Sequence, residues 1–162
     1  MSLVDRAREL QAEARELFTR LDLETAFPWP PTLIGSALSG VMVDRDLDVM
    51  FNAPDANAGT ILHGLTTLTR RVELRSIDLR DERGDRRPTA ATTDERFYAV
   101  LHTDTWKIDL TFWLHVVTRP HVEDALRVRD ATAEQRLQIL QLKNAQPTRD
   151  SSAIYRAVLG DG

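Results

Sequence analysis

Two segments of this chain alternate so strictly that they leave little choice about what they fold into. Asp46-Leu47-Asp48-Val49-Met50-Phe51 sets Asp46, Asp48 and Met50 against Leu47, Val49 and Phe51. Thr105 to Leu114 sets Lys107, Asp109, Thr111 and Trp113 against Trp106, Ile108, Leu110, Phe112 and Leu114. Successive strand side chains point to opposite faces, so each segment reads as a strand with one buried face and carboxylates on the other. A sheet apolar on one face has to be covered there by another layer, which the helical patterns on either side supply. The fold class expected is α/β (α+β), a short mixed β-sheet flanked by helices.

The carboxylates are the unusual part, because aspartate is disfavoured in strands. Asp46 and Asp48 lie about 7 Å apart along one strand, within reach of a common Mg²⁺, which prefers hard oxygen ligands and keeps room for phosphate oxygens. Upstream, Leu33-Ile34-Gly35-Ser36 ends an apolar run in a Gly-Ser pair whose backbone amides and hydroxyl can hold a phosphate. Taken alone, Asp-x-Asp also describes a solvated sheet face. Asp44 shares the face of Asp46, but the apolar residues begin only at Leu47, which favours Asp46 and Asp48 as the pair.

A hydrophobic strand, Gly-Ser, a spacer, Asp-hydrophobic-Asp and later one Asp on a neighbouring strand resembles the DNA polymerase β-type nucleotidyltransferase superfamily. The matching positions are Gly35, Ser36, Asp46, Asp48 and Asp109, within residues 31–116. The resemblance implies a nucleotidyltransferase-like fold and transfer of a nucleoside monophosphate from an NTP, with ATP the expected donor, to an acceptor hydroxyl with release of pyrophosphate. It makes Asp46, Asp48 and Asp109 both the catalytic residues and the ligands of Mg²⁺ or Mn²⁺. Gly35 and Ser36 become nucleotide-binding residues. Lys107, on the face of Asp109, either contacts a phosphate as a third nucleotide-binding residue or damps repulsion among the carboxylates.

The 162 residues suit a single domain: an N-terminal helix in 1–27, a nucleotidyltransferase core in 31–116 and a C-terminal helical segment in 120–162. A net charge of −4 argues against a long nucleic acid as partner. The arginine-rich stretch from Arg70 to Arg96 holds eight arginines against seven acids and is a mixed solvated surface. With no cysteine, disulfides, thiol catalysis and cysteine-bound zinc are excluded. No signal peptide and no apolar run of about 20 residues is present, so a cytoplasmic location is expected.

Leu3, Ala7, Leu10, Ala14, Leu17 and Leu21 form one helical stripe, widened by Phe18, for packing on the sheet or for a dimer seam. Pro28 to Pro31 breaks that helix, and Thr32–Gly35 reads as the first strand. A helix over 56–70 with Asp55 as N-cap follows, then a strand over 72–80 and a polar turn at 81–85. Arg96 to His102 and Trp106 to Val116 read as a hairpin about residues 103–105. Beyond Pro120 the pattern is helical over 122–144, interrupted near Asp130, and again over 151–159, where serines can cap the start and Gly160 the end.

Arg136 and Lys143 are each candidates for a triphosphate contact. Trp113 either stacks on a base or is covered by a helix. His63, His102, His115 and His121 show no metal-ligand spacing. The acceptor is expected to be a small molecule or a protein side chain. With little chain after the hairpin, apolar surface around Trp113 and Met50 is expected to call for a homodimer or a protein partner. The rival reading is a non-catalytic nucleotide-binding or regulatory module of the same fold acting through a partner.

Overall fold

A computed structural model describes residues 1–146 and 148–161. Five strands form one mixed sheet: β1 (Pro31–Ile34), β2 (Asp46–Asn52), β3 (Ser76–Glu82), β4 (Arg96–His102) and β5 (Lys107–Trp113), in spatial order β1-β2-β5-β4-β3. β2 and β5 run parallel, and every other pairing is antiparallel. The expected mixed sheet is therefore present, with the two carboxylate strands side by side at its centre.

One sheet face is sealed. Leu47, Val49 and Phe51 of β2 and Ile108, Leu110 and Phe112 of β5 are fully buried. Against them pack helix α1 (Leu3–Leu21), the short α2 (Leu23–Ala26) and α4 (Ala58–Thr69). Register places Phe51 beside Phe112, and their rings stack with centroids 4.6 Å apart. Phe27 meets both edge-on at 5.2 and 5.1 Å, an arrangement that adds electrostatic preference to the area buried. Gly64 of α4 is required here, since a Cβ would lie 2.2 Å from the Phe27 ring.

The α1 stripe is buried at Ala7, Leu10, Ala14, Leu17 and Leu21, and Ser2 caps the helix by accepting from the Asp5 amide at 3.0 Å. It serves two cores. From Leu10 onward it packs on the sheet, whereas Ala7 joins a second cluster with Val41, Val128, Ile139, Leu140, Ile154 and Tyr155. That cluster gathers α5 (Pro120–Arg129), α6 (Ala133–Ala145) and α7 (Ser151–Leu159). The packing-on-sheet reading holds for most of the stripe.

Several boundaries differ from the sequence reading. The strand expected over 72–80 is Ser76–Glu82, because Val72 donates its amide to Leu68 and finishes the α4 turn, buried. Glu82, expected in a turn, is instead buried and paired with Arg96 at 2.8 Å. Asp55 does not cap α4; it accepts from the Trp29 indole at 2.7 Å, and Asn57 is the cap. The interruption expected near Asp130 is present, by contrast: α5 ends at Arg129, and Thr132 and Gln135 close a capping box that starts α6 afresh. Asp150, not a serine, caps α7. Among the described residues no helix is long and apolar enough to cross a membrane.

Candidate active site

The open face of β2 and β5 carries the carboxylates. Parallel pairing sets Asp48 directly beside Asp109, and Asp46 beside Lys107. All three aspartates are thus on one face of two adjacent strands, as the alternation required. Gly35 closes the group from the next strand. It follows Ile34, which pairs with Asp48, and opens the five-residue helix α3 (Gly35–Ser39) with φ +65°. A Cβ at Gly35 would stand 2.4 Å from Asp48 Oδ2, so only glycine lets the backbone come this close to the carboxylate. Gly35, expected to end the first strand, instead opens the first turn of α3 together with Ser36.

Crowding shapes the electrostatics. Burial first, and the charges of Asp109 and Asp46 next, push the Asp48 carboxyl up to about 7. Asp46 is also raised, by burial, with Lys107 opposing. Asp109 is held in place by Tyr98, whose hydroxyl donates to Oδ2 at 2.8 Å, while Lys107 Nζ lies 3.6 Å from the same oxygen. The other oxygen, Asp109 Oδ1, is buried without a donor. A proton on Asp48 or a cation between the two carboxylates satisfies it.

Among the described residues no three metal-ligating side chains form a ready cage. The donor set nevertheless fits a hard divalent ion. It is all oxygen, it concentrates negative charge at neighbouring positions, and it leaves one buried oxygen open.

Two cavities flank the carboxylates. The smaller, about 190 Å³, is bordered by Gly35, Ser36, Asp46 and Asp48 and on its far side by Lys143, Arg149 and the start of α7. Lys143 is buried, donates to the Val41 carbonyl at 2.7 Å, and has its ammonium brought down to about 8 by burial and then by Arg149. Arg149 bridges Asp44 and donates to the Lys143 carbonyl at 3.0 Å. Asp44 is therefore drawn to Arg149. Of the two late basic residues weighed from sequence, Lys143 reaches this cavity. Arg136 does not, since it donates to the Ser39 and Val128 carbonyls at 2.7 and 3.0 Å and ties α6 to the core. Lys107 borders neither cavity.

The larger cavity, about 500 Å³, lies on the Asp109 side against Tyr98, Thr111, Trp113 and Arg119. Trp113 is buried beneath Arg119, whose guanidinium sits 3.8 Å from the ring centroid, with His121 of α5 nearby. The exposed apolar surface expected around Trp113 is absent, because the chain covers this tryptophan itself. Tyr98, Arg119 and Arg149 escaped the sequence reading. Tyr98 was within reach, since the hairpin register places Val100 opposite Asp109 and Tyr98 two residues along on the same face. Arg119 and Arg149 come from connections whose placement depends on tertiary packing.

No family model and no curated protein sequence matches the chain. Among solved structures, the GLD-2/RNP-8 complex superposes with a TM-score of 0.51 at 15% identity over 94% of this chain. Terminal uridylyl transferase 4 from Trypanosoma brucei with bound UPU gives a TM-score of 0.46 at 14% identity over 89%. The chain spans 62% of the length of the first and 50% of the second. The chain thus shares the fold seen in the GLD-2/RNP-8 complex. At such identity the likeness speaks for the fold, and the chemistry has to be argued from the site.

Proposed function

We propose that the protein is a metal-dependent nucleotidyltransferase that moves a nucleoside monophosphate from an NTP, ATP in the first instance, to an acceptor hydroxyl and releases pyrophosphate. The observation that carries this reading is the in-register pair of Asp48 and Asp109, with Asp46 beside them and a buried Asp109 oxygen left without a donor. The crowding raises the Asp48 and Asp46 carboxyls in the free protein, and a cation would relieve it.

Asp46, Asp48 and Asp109 would hold Mg²⁺ or Mn²⁺. When bound, the ion neutralises phosphate charge and makes the attacking hydroxyl more acidic. The rest falls to the chain. Ser36 and the Gly35 backbone, at the rim of the smaller cavity, are placed to take phosphate oxygens, with Lys143 and Arg149 as counter-charges opposite and Lys107 beside Asp109. Tyr98 fixes the orientation of Asp109 so that Oδ1 stays turned from its hydrogen-bonded partner. We assign the larger cavity, which Asp48 and Asp109 also border, to the acceptor, whose hydroxyl has to attack in line with the leaving pyrophosphate. GLD-2 was solved in complex with RNP-8; a protein partner for this chain is a proposal resting on that likeness.

Calorimetric titration with ATP tests the reading. Saturable binding that needs Mg²⁺ and is lost in Asp48→Ala is expected. Binding indifferent to both metal and substitution would refute it.

A further inference from the structure

Strand β3 ends the sheet on the side away from β1 and is bonded to β4 alone. Ser76, Ile77, Asp78 and Arg80 are exposed, Ile77 by 42%. An edge strand presents a row of unpaired main-chain groups, a template for another strand that proteins commonly blunt with proline or lysine. β3 carries neither.

Register decides which of its groups are free. Thr103 donates its amide to the Trp106 carbonyl at 2.9 Å, and Leu114 donates to the Glu95 carbonyl at 3.2 Å. Hydrogen-bonded positions alternate along an antiparallel pair, so Phe97, Ala99 and Leu101 turn their main chain toward β5. Arg96, Tyr98, Val100 and His102 turn theirs toward β3, where their partners are Glu82, Arg80, Asp78 and Ser76. Ile77, Leu79 and Asp81 therefore aim N–H and C=O outward. The Asp81 carboxylate is itself held by Arg83 and Arg86 at 2.8 and 3.2 Å.

Charge then selects what pairs there. Asp78 and Arg80 stand on one face of β3, exposed and joined to each other at 2.8 Å. We propose that β3 pairs with β3 of a second copy of this chain, antiparallel about a two-fold axis at Leu79, so that the two sheets join into one. That axis sets Asp78 opposite the partner's Arg80 and Arg80 opposite the partner's Asp78, and every charge in the seam meets its opposite. Both pairs fall at non-hydrogen-bonded positions, where facing side chains come closest. Ile77, Leu79 and Asp81 exchange main-chain bonds with the partner's Asp81, Leu79 and Ile77, which uses all three outward-facing positions of the strand. An axis at Asp78 or at Arg80 would instead bring like charges face to face. Asp78, Val100 and Asp109 are successive register partners, so both carboxylate faces open to the same side of the joined sheet. The proposal does not depend on the chemistry of those carboxylates.

Sedimentation velocity of the full chain tests it. The parent is expected to be a dimer that dissociates on dilution. Asp78→Arg makes the charged seam wholly positive and Arg80→Asp makes it wholly negative, and each should weaken dimerisation by about tenfold or more. Mixing the two variants should restore a dimer of unlike copies, and combining both substitutions in one chain should restore the like dimer. Hydrogen exchange of the parent needs no variant: the Ile77, Leu79 and Asp81 amides should gain protection as concentration rises. A parent that stays monomeric at high micromolar concentration overturns the proposal and leaves the edge to a strand of some other protein. A dimer that both single variants leave intact places the contact elsewhere and overturns it too. So does a mixture that stays monomeric although circular dichroism shows both variants folded, or a dimer whose Ile77, Leu79 and Asp81 amides exchange as fast as in the monomer.

Discussion

Replacing Asp48 by asparagine should make the metal-free protein more stable at neutral pH. Its carboxyl is raised from 3.8 to about 7, first by burial and then by Asp109 and Asp46. Below about pH 4 the group is protonated folded and unfolded, and it contributes nothing. Between about 4 and 7 the native state holds a proton that the unfolded chain has released, so stability falls as pH rises through that window. Above 7 the full penalty remains. At 1.36 kcal/mol per unit the ceiling is about 4 kcal/mol. Water and Lys107 relax around an ionised pair, and a gain of about 2 kcal/mol is the working expectation. Asparagine keeps the shape, carries no charge and can donate to the open Asp109 Oδ1. For a chain of this size the gain is about 4–8 °C in Tm. Thermal melts followed by circular dichroism from about pH 4 to 8 read it directly, the two proteins converging at the acid end. Mg²⁺ should stabilise the parent and not the variant. An asparagine variant less stable than the parent at about pH 7.5, or a difference that does not change with pH, would refute the reasoning.

Gly35→Ala should destabilise the fold by more than about 1 kcal/mol in chemical denaturation, because it adds a strained positive φ to a Cβ 2.4 Å from Asp48 Oδ2. Ser36→Ala should melt like the parent yet bind Mg·ATP more weakly by calorimetry, about three- to tenfold; equal affinity would remove Ser36 from the phosphate site. Lys143→Met should cost about ten- to a hundredfold in ATP affinity, the loss of a charged hydrogen bond. Its ammonium is lowered to about 8, so below that pH the folded protein carries a buried charge at a cost, and the metal-free variant should be the more stable one there. Phe112→Ala, which removes a ring stacked on Phe51 and met by Phe27, should cost about 3–5 kcal/mol in urea unfolding.

The sheet and the three aspartates were legible because a period of two fixes both the buried face and the exposed one. Leu47, Val49 and Phe51 could not be buried without turning Asp46 and Asp48 outward, and the same held for Asp109. That β5 lies next to β2 could not be read from alternation, since strand order depends on how the whole chain packs. Local signals misled where a tertiary partner outbid them: Asp55 answers to Trp29, and Glu82 to Arg96. Trp113 and Met50 appeared open because the segment after Pro120 looked too short to cover them. Arg119 and the start of α5 were enough to cover Trp113.

Co-crystallisation with Mn²⁺ and a non-hydrolysable ATP analogue, read by the anomalous signal of the metal, decides whether the carboxylate face is a metal site. Manganese bound by Asp46, Asp48 and Asp109 is expected, with the polyphosphate running into the cavity bordered by Ser36, Lys143 and Arg149. Nucleotide bound elsewhere, or a carboxylate face that takes no manganese at saturating analogue, would contradict that expectation.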